Sequence, residues 1–170
     1  PVTFSVAFTD ANGNGPITDT DVNDSSSVLF DKSAPTLPTV TILSDGSPST
    51  SFAEHLDEVT LSYTSNETLS AAPTVVFTSG GDPVVNRLGN GSGITYTDDG
   101  SNNYTATYIA NTSDTEGAVG YAITLVNQHG ISATLSTPTT NSSSVIFDKT
   151  APILTIFSLR ASGSYQTHVS

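Results

Sequence analysis

The fold is decided by a stretch that this sequence contains twice: SSSVLFDKSAP at residues 25–35 and SSSVIFDKTAP at residues 142–152. Nine of the eleven positions are identical, and the two copies lie 117 residues apart. The similarity extends upstream without a gap, because the apolar alternation of VTFSVAFTDANG (residues 2–13) returns in VGYAITLVNQHG (residues 119–130). Self-similarity at a fixed period predicts a tandem array of one structural unit.

The 117-residue period predicts one whole repeat with a partial repeat on each side. Residues 34–149 are the whole repeat. Residues 1–33 are predicted to be the C-terminal strands of the preceding repeat, and residues 150–170 the first strand of the following one. Neither partial repeat can bury its apolar face alone. We therefore expect the sequence to be a cut from a continuous array, or its flanks to be completed by neighbouring chains.

Short alternating apolar runs in the whole repeat predict β-strands, and no window shows a sustained apolar stripe of helical period. The predicted strands are residues 39–43, 58–65, 74–78, 84–88, 94–97, 104–110, 119–126 and 144–148. Their number and spacing, with turns rich in Gly, Asn, Asp and Pro, are typical of an Ig-like β-sandwich. The predicted fold class is all-β: one complete Ig-like module and partial flanking modules.

The charge balance excludes several classes of partner. Sixteen acidic residues face four basic ones, for a net charge of -12. Nucleic-acid binding needs a basic surface, so we predict no nucleic-acid partner.

The chain has no apolar run of about 18 residues, so direct membrane insertion is not predicted. Cysteine is absent, which removes disulfides and thiolate metal sites from consideration.

The junction sequences FDKSAP and FDKTAP are similar to the linkers between bacterial-type Ig-like tandem repeats of giant cell-surface proteins. The stretch GAVGYAITLVNQHG (residues 117–130), preceded by NYTATYIANTSDTEG (residues 103–117), also resembles such repeats. The resemblance covers essentially the whole chain. It implies an extracellular or cell-surface stalk, fibre or adhesin shaft. The partners it implies are neighbouring repeats of the same protein in a homopolymeric or fibre assembly.

Carboxylates are expected to converge where one repeat meets the next. In an Ig-like sandwich the last strand ends beside two loops of its own module and faces the next module. Ca²⁺ takes about six to eight oxygen ligands, which several converging carboxylates could supply. Calcium is therefore the one possible cofactor. The candidate metal ligands are Asp31 with Asp98 and Asp99 at one junction, and Asp148 with Asp114 and Glu116 at the other.

The alternative is that Asp31 and Asp148 pair with the adjacent Lys32 and Lys149 or cap turns, while the other acidic side chains are solvated. The two lysines are either register-setting ion pairs or ordinary exposed linker residues. The acidic loop at residues 10–24 resembles calcium loops but lacks their closing glutamate, and is interpreted as a connection between two strands.

Six Asn-x-Ser/Thr acceptors for N-glycosylation occur, and we expect several to carry sugar if the source is eukaryotic. They are Asn23, Asn66, Asn90, Asn103, Asn111 and Asn141.

No catalytic motif stands out, and His55, His129 and His168 are isolated, so an enzyme is not predicted. The predicted function is a structural module of an extracellular tandem-repeat fibre, stalk or filament. Two alternatives are an adhesin module that binds a glycan or protein, with calcium-stiffened junctions, and a spacer in a secreted hydrolase. Sugar binding calls for exposed aromatic side chains. Because Phe52 and Tyr165 are the main aromatic residues off the inward-facing positions, the scaffold is favoured.

Overall fold

A computed structural model describes residues 2–84, 95–136 and 138–155. Within these ranges the chain forms β-strands and no helix, which confirms the all-β class. It follows that no helix in these ranges is long and apolar enough to cross a membrane. Several predictions lie outside the described residues: most of the strand at 84–88, Ile94, the sequon at Asn90, Tyr165, His168 and residues 156–170 of the predicted following repeat.

The strands are short, as expected for a small all-β protein. Their bounds are β1 Val6–Phe8, β2 Ile17–Asp19, β3 Thr39–Ser44, β4 Phe52–Ala53, β5 Glu58–Thr64, β6 Thr74–Ser79, β7 Asp82–Pro83, β8 Thr95–Asp98, β9 Asn103–Ile109, β10 Gly117–Val126, β11 Ser132–Leu135 and β12 Ile146–Phe147.

Two sheets make up the region from residue 39 to residue 147. One has the order β3-β5-β9-β8, and the other has the order β4-β12-β10-β6-β7, with β11 also paired to β10. All pairings are antiparallel except that of β12 with β4. Buried side chains from both sheets form a single hydrophobic cluster. This arrangement is consistent with a β-sandwich.

The core is built by alternation along the central strands. In β5, EVTLSYT, the side chains of Val59, Leu61 and Tyr63 are buried while their neighbours are not. Strand β9 repeats the pattern, and Tyr108 from it packs on Phe77 of the opposite sheet with ring centroids 4.8 Å apart. Burial raises the pKa of Tyr108, because the charged phenolate would be poorly solvated there.

Three strands of this region were not predicted from the sequence. Strands β4 and β7 have two residues each, too few to show any alternation. Strand β11, SATL, alternates polar and apolar residues but is only four residues long, and it folds back onto β10 after the turn at Gly130. All three strands are too short for their own pattern to predict them and depend on pairing with a neighbouring strand.

The N-terminal segment forms a separate two-stranded hairpin, β1 with β2. Its large apolar side chains are unusually exposed, between 42% and 73% of their surface. They are Val2, Phe4, Val6, Phe8, Ile17, Val22, Val28, Leu29 and Phe30. A water-exposed apolar surface of this kind commonly marks an interaction site.

The backbone of this segment follows that of the whole repeat at a spacing of 117 residues. The N–H of Val2 donates to the carbonyl of Val28 at 2.8 Å, and the N–H of Val119 donates to the carbonyl of Val145 at 2.9 Å. Ser25 and Ser142 have left-handed backbones with φ of 58° and 60°. Two features differ: Val28 is 64% exposed whereas Val145 is fully buried, and the strand register is shifted by one residue, since Val6 pairs with Asp19 whereas Ile123 pairs with Leu135.

Candidate functional site

The C-terminal junction, residues 148–150, is attached to the loop that precedes β10. The ammonium of Lys149 donates to the carbonyls of Thr112 and Asp114, at 3.1 and 2.8 Å. The carboxylate of Glu116 accepts two hydrogen bonds on Oε1, from the backbone N–H of Lys149 at 2.8 Å and from the hydroxyl of Thr150 at 2.7 Å. The junction is therefore held by four direct contacts to its own module.

A turn in the same loop sets the position of these acceptors. Asp114 is 2% exposed, and its carboxylate accepts from the N–H of Asn111 at 2.9 Å. The N–H of Asp114 in turn donates to the carbonyl of Asn111 at 2.8 Å. This closed turn holds the carbonyl of Asp114 outward, within reach of Lys149. Asp148 caps the following residues, because its Oδ1 accepts from the N–H of Thr150 at 2.9 Å.

The hydrogen bonds to Glu116 lower its pKa, the largest cause being the hydroxyl of Thr150 and the next the N–H of Lys149. A carboxyl group whose pKa is lower in the folded state than in the unfolded state stabilises the folded state at pH values above its ordinary pKa. The stabilisation is lost as the pH falls through the lowered value. The contacts of Glu116 are thus intact at neutral pH and break in acid.

We predict that the amide resonance of Lys149 shifts in acid with the titration of Glu116, at a midpoint below that of an ordinary glutamate. The measurement is an NMR pH titration. Glu116→Gln is the matched control, because its Oε1 still accepts both bonds but cannot be protonated in this range. An acid shift of the same size and midpoint in the control chain would show that Glu116 does not govern this junction.

The N-terminal junction, residues 31–33, lies at the end of the sandwich where β10 finishes. The side chain of Asn127, fully buried, donates from Nδ2 to Glu67 Oε2 at 3.1 Å, to the carbonyl of Ser33 at 3.2 Å and to Asp31 Oδ2 at 3.4 Å. His129 Nδ1 lies 3.3 Å from the same oxygen of Asp31. The side-chain amide of Asn127 thus links residues 31–33 to the loop that contains Glu67 and to its own loop after β10.

The carboxylates of Asp98 and Asp99 close the turn between β8 and β9. Asp99 accepts from the N–H of Ser101 at 2.8 Å and from the side-chain amide of Asn103 at 2.8 Å. The bond from Asn103 is the largest cause of the lowered pKa of Asp99. Asp31 had been expected beside these two residues, and its carboxylate instead contacts Asn127 and His129.

The six carboxylates proposed as calcium ligands therefore lie in three different settings. Among the residues that the structure describes, no group of three or more His, Cys, Asp or Glu is arranged to hold a metal ion. Asp114 and Glu116 lie beside residues 148–150, as the sequence predicted, and the contacts there are made by Lys149, by Thr150 and by the side chain of Asp148, which contacts Glu116. Calcium binding stays a prediction.

The acidic loop after β1 uses its first carboxylate within the turn. Asp10 Oδ1 accepts from the N–H groups of Asn12 and Asn14, both at 2.9 Å, and Oδ2 accepts from the side-chain amide of Asn14 at 2.8 Å. These bonds, first that of the Asn14 side chain, lower the pKa of Asp10. Residues 9–16 connect β1 to β2, but β2 itself lies within residues 10–24, so the interpretation of that whole stretch as a connection between strands is only partly correct.

The sequons differ in whether Nδ2, the atom that would carry a glycan, is engaged. In Asn66, Asn111 and Asn141 the side-chain oxygen Oδ1 accepts a backbone N–H, whereas Nδ2 of Asn103 donates to Asp99. Asn23 is exposed. Glycosylation at these positions stays a prediction, and at Asn103 one of the two Nδ2 hydrogens is already donated to Asp99.

Two residues at the N-terminal junction were missed by sequence reasoning: Asn127 and Glu67. A neutral asparagine in a turn gives no charge pattern, and Glu67 is far from the junction in sequence. The signal that was available is the alignment of Asp10 with Asn127 at the 117-residue spacing.

Comparison of the sequence with protein-family models and with curated proteins gives no match.

Proposed function

We propose that this chain is a structural module of an extracellular tandem-repeat fibre, stalk or filament, with Ig-like β-sandwich repeats and no catalytic activity. One observation carries the proposal: the same sequence and the same local hydrogen bonds recur 117 residues apart. A chain that repeats its own junction is suited to end-to-end linkage of like modules.

The strand order supports the Ig-like assignment. An Ig sandwich of the constant type pairs its first, second, fifth and fourth strands in one sheet and its third, sixth and seventh in the other. The sheet β3-β5-β9-β8 has the first arrangement, and β6, β10 and the β11–β12 segment have the second. The short strand β4 extends the second sheet through its parallel pairing with β12.

The exposed side chains of residues 2–30 support the assignment of this segment to another module. Phe4, Phe8 and Phe30 are 44%, 57% and 73% exposed. The residue 117 positions after Phe8 is Leu125, and that after Phe30 is Phe147, and both belong to the hydrophobic core. The exposed aromatic residues are thus accounted for as core positions of a sandwich whose other strands are absent here. This interpretation favours the scaffold over a glycan-binding adhesin.

Direct contacts at the junctions favour linkage without calcium. At the C-terminal junction, Glu116 Oε1 and the carbonyls of Thr112 and Asp114 already accept hydrogen bonds from Lys149 and Thr150. The adhesin alternative with calcium-stiffened junctions predicts a higher melting temperature in calcium than in chelator. On the scaffold account, melting of the 170-residue chain is the same in both.

The proposal is tested with an extended chain in which residues 34–117 are joined ahead of residue 1. In the 117-residue register, residues 2–33 then complete a second whole module. Small-angle scattering should give a longer particle of unchanged cross-section, with a maximum dimension greater by about 35 Å, the length of a ten-residue strand. A matched control carries Asp in place of Leu61 and Phe77 in the added copy. If both chains scatter as one module with a disordered extension, the proposal is wrong.

A further inference from the structure

The turn that follows β1 and the turn that follows β10 have the same geometry, although one begins with Asp10 and the other with Asn127. In each, the side-chain Oδ1 accepts from the N–H groups two and four residues later, at 2.9 and 2.9 Å for Asp10 and at 3.0 and 2.9 Å for Asn127. Gly13 and Gly130 occupy equivalent left-handed positions, with φ of 85° and 79°. Aspartate and asparagine are therefore equally suited to forming this turn.

The two residues differ in what they offer to a neighbouring segment. The amide of Asn127 has two N–H donors, and it contacts three acceptors: Asp31 Oδ2, the carbonyl of Ser33 and Glu67 Oε2. An ionised carboxylate has no hydrogen to donate. In its place, Asp10 Oδ2 accepts from Asn14. An aspartate at position 127 would thus remove this donor from all three acceptors, leaving His129 as the remaining partner of Asp31 Oδ2, and would add a negative charge beside Asp31 and Glu67.

The partner of Asn127 is the repeated junction itself. Asp31-Lys32-Ser33 occupies the same place in the repeat as Asp148-Lys149-Thr150. In both, Oδ1 of the aspartate accepts from the N–H two residues later, at 2.9 Å. At Asp31 this leaves Oδ2 and the carbonyl of Ser33 for the module that follows. The C-terminal junction shows how the lysine binds the module that precedes.

We propose that Asn127 is the specificity-determining residue of the junction: a module with Asn at this turn accepts a linker of sequence Asp-Lys-Ser or Asp-Lys-Thr. A module with Asp at this turn, as at Asp10, accepts a linker that presents an amide or a cation in place of the aspartate. The inference rests on the proposed tandem array and names the rule by which its modules recognise one another. Neighbours in the array are then matched pairs and not freely interchangeable units.

Trypsin provides the test, because Lys32 and Lys149 place one cleavage site in each junction of the 170-residue chain. Mass spectrometry follows cleavage at both sites, and each rate is divided by that of a peptide with the same local sequence. Asn127→Asp should raise the rate at Lys32 about tenfold or more, the effect of losing a hydrogen bond to a charged group. The rate at Lys149 should stay unchanged. Adding Asp31→Asn to that variant supplies a donor from the linker, and should reverse about half of the increase on a logarithmic scale.

An equal rise at both sites, or no rise at Lys32, overturns the assignment. So does a double variant in which Lys32 is as exposed as in Asn127→Asp alone. If circular dichroism shows that Asn127→Asp does not fold, Asp31→Ala tests the same contact from the linker. A selective rise at Lys32 supports the assignment, and an unchanged rate refutes it. These experiments use one whole module, so a negative result overturns the role of Asn127 even if the extended chain forms its second module. Conversely, an extended chain that forms no second module overturns the tandem array and leaves the measured effect of Asn127 unchanged.

Discussion

The Phe77→Ala variant should lose about 3–5 kcal/mol of unfolding free energy, the cost typical of removing a buried phenylalanine. Phe77 is 1% exposed, and its ring contacts that of Tyr108 at a centroid distance of 4.8 Å. It lies in β6, between β10 and β7, so neighbouring strands cannot collapse into the cavity without losing their pairing. A loss of this size is a large part of the stability of a small domain.

Val76→Ala is the matched control for this prediction. Val76 precedes Phe77 in the same strand but points to the other face and is 51% exposed. Its truncation should cost about 1 kcal/mol or less, because little apolar surface leaves the core. Urea denaturation of the three chains measures the difference. Equal midpoints for the two variants would mean that the sheets do not enclose the core described here.

The Gly80→Ala variant should lose about 2–4 kcal/mol, for a different reason. Gly80 has a φ of +58°, and a Cβ added there would lie 2.4 Å from the carbonyl oxygen of Glu116 and 2.7 Å from a methyl group of Thr115. The first contact is with backbone, so the loop before β10 has to shift. Since that loop also supplies the acceptors for Lys149, the variant should open the C-terminal junction as well.

Gly81→Ala separates the two causes of this loss. Gly81 also has a positive φ, +94°, but an added Cβ meets nothing within 4 Å. It should therefore show only the backbone strain of a left-handed residue, about 1–2 kcal/mol. Urea midpoints give the stabilities, and the trypsin rate at Lys149 reports on the junction. The account of this turn fails if Gly81→Ala accelerates cleavage at Lys149 as much as Gly80→Ala does.

The all-β class could be predicted because the central strands carry their own signal. Val59, Leu61 and Tyr63 alternate with polar residues, and this period alone defines which face is buried. Strand β11 could not be predicted in this way, because its pairing with β10 depends on a turn and on an open sheet edge. Residues 2–30 show the opposite case, in which an alternating apolar pattern is present but its large apolar side chains are exposed.

The candidate site was predictable where it depended on topology and not where it depended on an uncharged side chain. The end of β12 places Asp148 beside the loop of Asp114 and Glu116, which follows from the order of strands in the predicted fold. The role of Asn127 depends on a three-dimensional meeting of two loops and the incoming segment. The same topological argument placed Asp98 and Asp99 beside Asp31, but their carboxylates instead stabilise their own turn.

The central claim is that residues 2–33 are the last strands of a module whose other strands lie elsewhere in an array. Hydrogen exchange of the extended chain, compared with the 170-residue chain, tests it most directly. In the 170-residue chain, amides of β1 and β2 should exchange far faster than those of β5, β6, β9 and β10, because no second sheet covers the hairpin. In the extended chain, the amides of Val6 and Phe8 should become as protected as those of Ile123 and Leu125. Exchange at Val6 and Phe8 that is the same in both chains would contradict the claim.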